Sequence, residues 1–363
     1  METIRVKDDK GRVYKSINEF VSYWRVGRSS TQRSFRKTGY YENEAKGIKA
    51  WTIDGHSEGR TQEIDEEYEK YKAVRSSEFK YYKIDAKGHT KGERYAIALF
   101  SDAHIEETVD SSSVLGLNEY DITIAEGRIK AYFANLARCL SRDRAKCLYF
   151  SVLGDIISGY IHESLQQENG MTPPEATLFG QSLIVSGLRF LREQLPELKI
   201  VFIGICGNHS RTTKKVQNSN GFKLSYEWIM YQNIKQICDM LELGIEFLIP
   251  ESELALIETP DDKRYIFCHG FQVQSKGTGT VAGIYPALQR LAMKWQKVFK
   301  QDKIFLGHYH TCVSIPTATV NGSVIGYNAF ALTNGMGHEE PAQMYEVFDS
   351  EIGQLLSRKI YCK

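Results

Sequence analysis

No stretch of this 363-residue chain is apolar for the roughly 18 residues needed to span a bilayer. Its opening, METIRVKDDKG, lacks the apolar run of a secretory signal. Membrane contact is therefore not expected, and a cytoplasmic setting is. Paired cysteine spacing is also missing. Cys139, Cys147, Cys206, Cys238, Cys268, Cys312 and Cys362 are odd in number and scattered without C-x-x-C, which excludes a disulfide framework and a zinc knuckle. There is no internal repeat or low-complexity tract, and 46 Lys and Arg almost cancel 45 Asp and Glu.

That balance hides an asymmetry. Residues 1–50 hold 12 Lys and Arg against 6 Asp and Glu, whereas the remainder holds 34 against 39. Positive charge concentrated near the amino terminus marks where contact with a phosphate backbone is expected. The length suggests two domains, and 42% hydrophobic content is ample for a real core.

Five separated segments each carry a short apolar run into polar residues: YAIALFSDAH, KCLYFSVLGD, KIVFIGICGNH, RYIFCHG and KIFLGHYH. They read as buried strands ending in turns. Each delivers metal-binding side chains at its carboxyl end: Asp102 and His104, Asp155, Asn208 and His209, His269, and His308 with His310. In open α/β sheets the loops beyond those ends are where sites assemble, so the five tips are expected to converge. Carboxylate, imidazole and amide oxygen without thiolate suit Mn, Fe or Zn better than a structural zinc cage. Seven candidate ligands are too many for one ion. Two ions sharing a carboxylate, for which Asp155 is the choice, would use them all and hold a bridging hydroxide for attack on phosphorus. An isolated histidine is more often a satisfied core or turn residue, but five such blocks in one order are not. His56, His89, His162 and His338 lack that context; His162, seven residues after Asp155, is expected on a helix surface.

In these D-x-H, G-D, G-N-H, H-G and G-H-x-H blocks, spanning about residues 94–310, the chain resembles the calcineurin-like metallophosphoesterase superfamily. The resemblance implies that Asp102, His104, Asp155 and His310 hold one metal, and Asp155, Asn208, His269 and His308 the other. It leaves His209 off the metals, to protonate the leaving oxygen or steady the transition state. Manganese is the expected metal, with iron, zinc or nickel as alternatives. Two departures stand out. Many phosphatases of the family place Asp where this chain has Ser158 and Ser210, so the residue that orients His209 is left unidentified. Arg211 follows in GNHSR, with Lys214 and Lys215 beyond; its guanidinium could clamp a phosphate oxygen or be a surface arginine.

In SINEFVSYWRV, Ser16 and Glu19 form a capping box, and Ile17, Phe20, Val21 and Trp24 share one helical face. After VGRSS a second helix over residues 30–38 carries Arg33, Arg36 and Lys37 and closes at Gly39. Helix, tight turn and basic helix suggest helix-turn-helix. The stretch also resembles the small DNA-binding repeats appended to homing nucleases, which implies that Arg33, Arg36 and Lys37 meet phosphates or bases while Arg25 and Arg28 position the module. The alternative is a solvated basic face.

The expected organisation is a basic module at 1–50, a charged linker at 51–92 and a metallophosphoesterase domain at 93–363. The linker's Tyr68, Tyr71, Phe79, Tyr81 and Tyr82 could pack on the catalytic domain or touch nucleic acid. Helical periods in TIAEGRIKAYFANLARCL, FGQSLIVSGLRFLREQL, LSYEWIMYQNIKQICDMLEL and ALQRLAMKWQKVF alternate with the ligand-bearing strands. The fold class is thus α/β, a sheet core flanked by helices with a final hairpin and a small helical module in front, and the resemblance implies that the core is a calcineurin-like sandwich of two facing sheets. VLGLNEYDITIAEGRI, IHESL and PAQMYEVF resemble phosphoesterases encoded in phage genomes, which implies a phage or mobile-element origin and, if the chain is phage-encoded, a host cytoplasm. The first functional expectation is a metal-dependent DNA nuclease. A phosphodiesterase or phosphatase acting on a nucleotide or other small phosphoester is the second, and a DNA-binding protein with a vestigial site is the third.

Overall fold

A computed structural model describes residues 5–38, 40–52, 82–83, 92–161, 165, 169–217, 221–273 and 281–363. The chain divides into two compact units, residues 1–80 and 81–363.

In the first unit, strands β1 (Val6–Asp8), β2 (Val13–Tyr14), β3 (Tyr40–Asn43) and β4 (Ile48–Thr52) form an antiparallel sheet ordered β2-β1-β4-β3. Helices α1 (Ile17–Trp24) and α2 (Arg28–Thr38) lie between β2 and β3 in sequence. Both helices were expected; the sheet was not, and β4 runs through the expected boundary at residue 50. The residues that read as an apolar face, Ile17, Phe20 and Val21, are buried with Val6, Tyr14, Phe35, Tyr41, Ile48 and Ala50, and Trp24 packs against them. Ser16 Oγ accepts from Glu19 N at 3.2 Å, while Glu19 reaches back to Lys15 N at 2.6 Å, one residue before the usual partner. Asp8 pins the first hairpin, accepting from Arg12 N at 2.8 Å and the Tyr14 hydroxyl at 2.8 Å. Gly39, the aromatics Tyr68, Tyr71, Phe79 and Tyr81, and His56 and His89 lie outside the described residues.

The second unit is built on two six-stranded sheets. One runs β16-β15-β6-β7-β8-β9, from strands β6 (Arg94–Phe100), β7 (Cys147–Val152), β8 (Lys199–Gly204), β9 (Ile245–Leu248), β15 (Ala342–Asp349) and β16 (Gly353–Tyr361). In it β6 to β9 are parallel, and β15–β16 is the expected closing hairpin. The other runs β13-β14-β12-β11-β10-β5, from strands β5 (Tyr82–Lys83), β10 (Leu254–Glu258), β11 (Arg264–Cys268), β12 (Lys303–Leu306), β13 (Val313–Ile315) and β14 (Ala318–Val320). All five ligand-bearing strands expected from sequence are present.

The strands are apolar on both faces because both faces are covered. Ala96, Ala98, Phe100, Leu148, Phe150, Ile200 and Phe202 pack beneath helices α3 (Ile122–Asp143), α4 (Pro173–Gln194) and α5 (Tyr226–Met240). Their alternating neighbours Tyr95, Ile97, Leu99, Tyr149, Val201 and Ile203 meet Ile257, Tyr265, Phe267 and Phe305 between the sheets. Ile266, Cys268, Ile304 and Leu306 face Ile284 and Leu288 of helix α6 (Val281–Phe299) on the far side. The result is helix, sheet, sheet, helix, with a short α7 (Ala329–Thr333) near the end. Each such fully buried Phe, Leu or Ile contributes about 1.5–3 kcal/mol. Lys303 and Glu346, both buried, tie the two sheets together at 2.7 Å, and Ser314, Thr319 and Gln354 satisfy their remaining hydrogen bonds. Either charge alone there would cost about 3–5 kcal/mol.

Among the described residues no helix is long and apolar enough to cross a membrane. The seven cysteines are free, five of them buried.

Candidate metal centre

Strands β6, β7 and β8 run parallel, as do β11 and β12, and their carboxyl ends deliver the five ligand-bearing loops. The loops bring Asp102, His104 and His310 into one group and Asp155, His269 and His308 into another, each with ligand atoms within 4.8 Å of one another. Asn208 joins the second group, its Oδ1 lying 3.1 Å from His269 Nε2. The two groups touch through the loops: Ala103 N donates to the Asp155 carbonyl at 2.8 Å, and His308 N donates to both Asp102 carboxylate oxygens at 3.0 Å.

The backbone is bent to make this possible. Asp102, His104, Asp155, His308 and His310 all have left-handed φ, between 48° and 73°. A non-glycine residue there costs of order 1 kcal/mol or more, and such strain clusters where geometry serves a site. The neighbouring glycines explain the G-D, G-N-H and G-H-x-H spelling. A Cβ on Gly207 would lie 2.0 Å from Asp155 Oδ1, one on Gly307 would lie 2.6 Å from Asp102 Oδ2, and one on Gly154 would lie 2.2 Å from Gly207 N.

Each ligand is held by a second group. Ser101 Oγ donates to Asp102 Oδ2 at 2.5 Å and is itself held by Asn321, which also bonds Gln343. His269 Nδ1 donates to the Leu153 carbonyl at 2.6 Å, and its Nε2 turns to Asp155 Oδ2 at 2.8 Å. His310 Nε2 lies 3.3 Å from Asp102 Oδ1. His104 Nδ1 bonds Ser158 Oγ at 2.8 Å, and Ser158 Oγ donates onward to Glu107 at 3.0 Å. Glu107 is fixed in turn by Asn328 at 2.9 Å.

These residues fit divalent cations. With Nδ1 engaged, His104 keeps Nε2 for a ligand, and that atom is buried with no hydrogen-bond partner among the described residues. Burial and the neighbouring His209 and His310 push the His104 pKa well below its ordinary value, and burial with His269 lowers His308 to about 4. Both therefore present neutral imidazoles, the form that binds a metal. Burial opposes ionisation of Asp155, yet His269 and His209 hold its pKa well below the usual carboxylate range. Burial would likewise lower His269, but the Asp155 carboxylate raises it to about 10. The unpartnered His104 Nε2 and the buried carboxylates of Asp102 and Asp155 are what bound cations would complete.

His209 takes a different place. Its backbone N donates to Asp155 Oδ1 at 2.8 Å, and its Nδ1 lies 3.1 Å from the Ser158 carbonyl, while its ring stands edge-on to His104 at 4.8 Å. The orienting partner that the sequence left unidentified is thus a backbone oxygen. Ser210 meets a carboxylate of its own, donating at 2.9 Å to Glu227, which also accepts from Gly207 N at 2.7 Å and Ile156 N at 2.6 Å. Glu227 clamps the Asp155 and Asn208 loops together from the first turn of α5. Burial, followed by the nearby Asp155, raises its pKa to about 7. Glu106 does the same for Ser158 N and Gly159 N, each at 2.8 Å, and burial raises its pKa to about 7.

Glu227, Glu106, Glu107, Asn321 and Gln343 were not anticipated. Glu227 alone left a trace in the sequence. It stands on the buried face of α5 with Met230, Tyr231, Ile234 and Cys238, a charge at an apolar position of the helical period.

Arg211 turns its guanidinium onto its own loop, donating to the carbonyls of Asn208 and Thr213 and reaching that of Lys214. His338 belongs to neither group and lies near Tyr327 and the Leu117 carbonyl, and His162 lies outside the described residues. In the first unit Arg25 caps α1 in a left-handed conformation and is exposed, as is Arg33 on α2. Arg28, Arg36 and Lys37 fall on α2, their side chains outside the described set.

No protein-family model and no curated protein matches the chain. Similar solved structures include a protein of unknown function, AQ665, from Aquifex aeolicus, at 13% identity and TM-score 0.28 over 66% of this chain and 93% of that one. A 5'-nucleotidase from Candida albicans SC5314 shows 10% identity and TM-score 0.34 over 71% of this chain and 48% of that one. The phosphopantetheinyl hydrolase PptH from Mycobacterium tuberculosis shows 12% identity and TM-score 0.25, covering 67% and 93%. This chain thus spans about half of the nucleotidase. Likenesses this distant leave the case for function with the side chains themselves.

Ser158 gives a direct check on the arrangement around His104. Ser158→Ala removes the hydroxyl between His104 and Glu107 but keeps the carbonyl facing His209. Calorimetric titration with Mn(II) should show affinity at one of two sites falling by about 10–100-fold, with Ser158→Thr retaining most of it. Unchanged affinity at both sites would mean that the hydroxyl does not orient the ligand.

Proposed function

We propose that the protein is a two-metal phosphodiester hydrolase acting on DNA, a nuclease of the calcineurin-like type. The observation that carries the reading is the pair of ligand groups, Asp102–His104–His310 and Asp155–His269–His308, at the ends of parallel strands. The first group would hold one ion and the second, with Asn208, the other, with Asp155 shared between them. Two divalent ions, manganese first among the choices, supply a nucleophile at neutral pH and offset charge on the phosphoryl oxygens.

The chain's own residues do the rest. Asp102 and Asp155 stay ionised, and His104 and His308 stay neutral. His209, with Nδ1 facing the Ser158 carbonyl, presents Nε2 to the departing alcohol and passes it a proton. Arg211 shapes the loop that carries Asn208 and His209. In the basic first unit, the exposed Arg25 and Arg33, with Arg28, Arg36 and Lys37, meet the phosphate backbone.

The test is Mn-dependent cleavage of labelled DNA beside bis-p-nitrophenyl phosphate, using the full chain and its Arg25→Glu/Arg33→Glu variant. The expected result is cleavage of both substrates by the full chain. The double variant should lose DNA cleavage by about tenfold or more at moderate salt while keeping its rate on the small diester. Hydrolysis of the small diester alone, with DNA untouched, would redirect the substrate to a nucleotide or another small phosphoester.

A further inference from the structure

We propose that Lys214 and Lys215, on the loop that leaves the metal centre after His209, hold the phosphate next to the scissile one in a DNA strand. The proposal rests on DNA being the substrate, and it makes the preferred substrate one with at least two consecutive phosphates.

This loop is pinned along its length. Tyr226 N donates to the Ser210 carbonyl at 2.9 Å, and Thr212 donates to the Leu224 carbonyl through its N at 2.8 Å and its hydroxyl at 3.1 Å. The Thr213 hydroxyl donates to the Lys215 carbonyl at 2.7 Å. Arg211 binds the loop from within, its guanidinium donating to the carbonyls of Asn208 and Thr213 and reaching that of Lys214 at 3.5 Å. One planar group thus links the backbone of a proposed metal ligand to that of Lys214. The cation nearest the ligands is spent on the backbone, which fixes where the next two cations stand.

Lys214 and Lys215 are both exposed, and among the described residues no side-chain hydrogen bond or ion pair engages either ammonium. Lys223 differs, facing Glu251 at 3.8 Å. The loop sequence RTTKKVQ, residues 211–217, holds no acid. Two ammonium groups on adjacent residues of a fixed loop repel each other, and an anion between them relieves that repulsion. A hollow lined by Asn208, Arg211, Thr213, Val216 and Gln217 runs beside them, so the surface leading away from the ligands passes the lysines. Glu253 is the acid on that hollow; it is half-buried, and burial raises its pKa toward the neutral form. A strand with its scissile phosphate on the metals carries the next phosphate one nucleotide away. Lysine suits that contact, being a point charge on a flexible stem that follows a phosphate without demanding one geometry. A diester with a single phosphate has nothing to place there.

The test uses the full chain with Mn(II) on the thymidine dinucleotide, whose one phosphate is the scissile one, and on the tri- and tetranucleotides. The unsubstituted chain should show a higher kcat/KM on the two longer substrates. Lys214→Ala/Lys215→Ala should cut that advantage by about tenfold, through KM more than kcat. It should also flatten the dependence of log kcat/KM on log salt by about 1.4, two contacts at roughly 0.7 each for a single strand. Lys214→Arg/Lys215→Arg should retain both the advantage and the slope. Both side chains are exposed, so the variants should fold, as circular dichroism will report. If the chain cleaves the oligonucleotides but shows no advantage for the longer ones, or if the alanine variant keeps the advantage and the slope, the lysines are not the site although DNA remains the substrate. A loss confined to kcat would overturn the proposal as well. Hydrolysis of bis-p-nitrophenyl phosphate without cleavage of any oligonucleotide would remove the DNA reading and this inference together.

Discussion

Asp155→Ala is expected to abolish hydrolysis, lowering turnover of bis-p-nitrophenyl phosphate by roughly four orders of magnitude or more, the scale seen when one member of a unit that acts together is removed. The carboxylate is buried, 2.8 Å from His269 Nε2 through one oxygen and 2.8 Å from the His209 backbone N through the other. It is therefore the point at which the second ligand group and the proposed acid are joined. Alanine leaves His269 and His308 without the anion beside them and lets the His209 loop drift. Adding manganese to high concentration should not restore the rate. A variant that recovered near-native turnover with excess metal would show that Asp155 helps binding only and is not the shared ligand.

His209→Ala should behave differently, keeping its metal while losing about 10²–10⁴-fold in turnover on DNA. The imidazole is held by the Ser158 carbonyl at 3.1 Å and stands against His104 without belonging to either ligand group. Proton delivery matters most when the departing oxygen is a poor leaving group. An alkoxide of deoxyribose needs the proton, whereas p-nitrophenolate leaves without much help. The variant should therefore lose far more on DNA than on bis-p-nitrophenyl phosphate. Equal losses on both substrates would assign His209 to transition-state charge instead, and full activity on DNA would remove it from the mechanism.

Much of this centre was legible in the sequence, for a physical reason. A strand buried on both faces is written as an unbroken apolar run, and a ligand-bearing loop after it is written in Asp, His and Asn, so YAIALFSDAH or KIFLGHYH shows both at once. What the sequence conceals is support from a distance. Glu227 reaches Ile156 N across 71 positions and Asn321 reaches Ser101 across 220. A glutamate in the first turn of a helix, or an asparagine after a strand, has many ordinary uses there. The left-handed backbone at Asp102, His104, Asp155, His308 and His310 is equally silent, because residue type only permits it.

Boundaries were harder than elements. Helix α4 begins at Pro173, six residues before the apolar period becomes obvious, because Pro173 and Pro174 occupy its first turn behind a Thr172–Glu175 capping box. In the first unit, strands of two to five residues are too short for a period to emerge, so the sheet beneath α1 and α2 went unseen. Trp51, taken as the start of a linker, is instead a strand residue paired with Lys7 and Tyr40.

The most direct test of a two-metal centre is anomalous diffraction at the manganese edge from crystals of the full chain grown with Mn(II). Two peaks are predicted, one among Asp102, His104 and His310 and the other among Asp155, Asn208, His269 and His308, with Asp155 touching both. A single peak, or manganese bound away from these residues, would contradict the account.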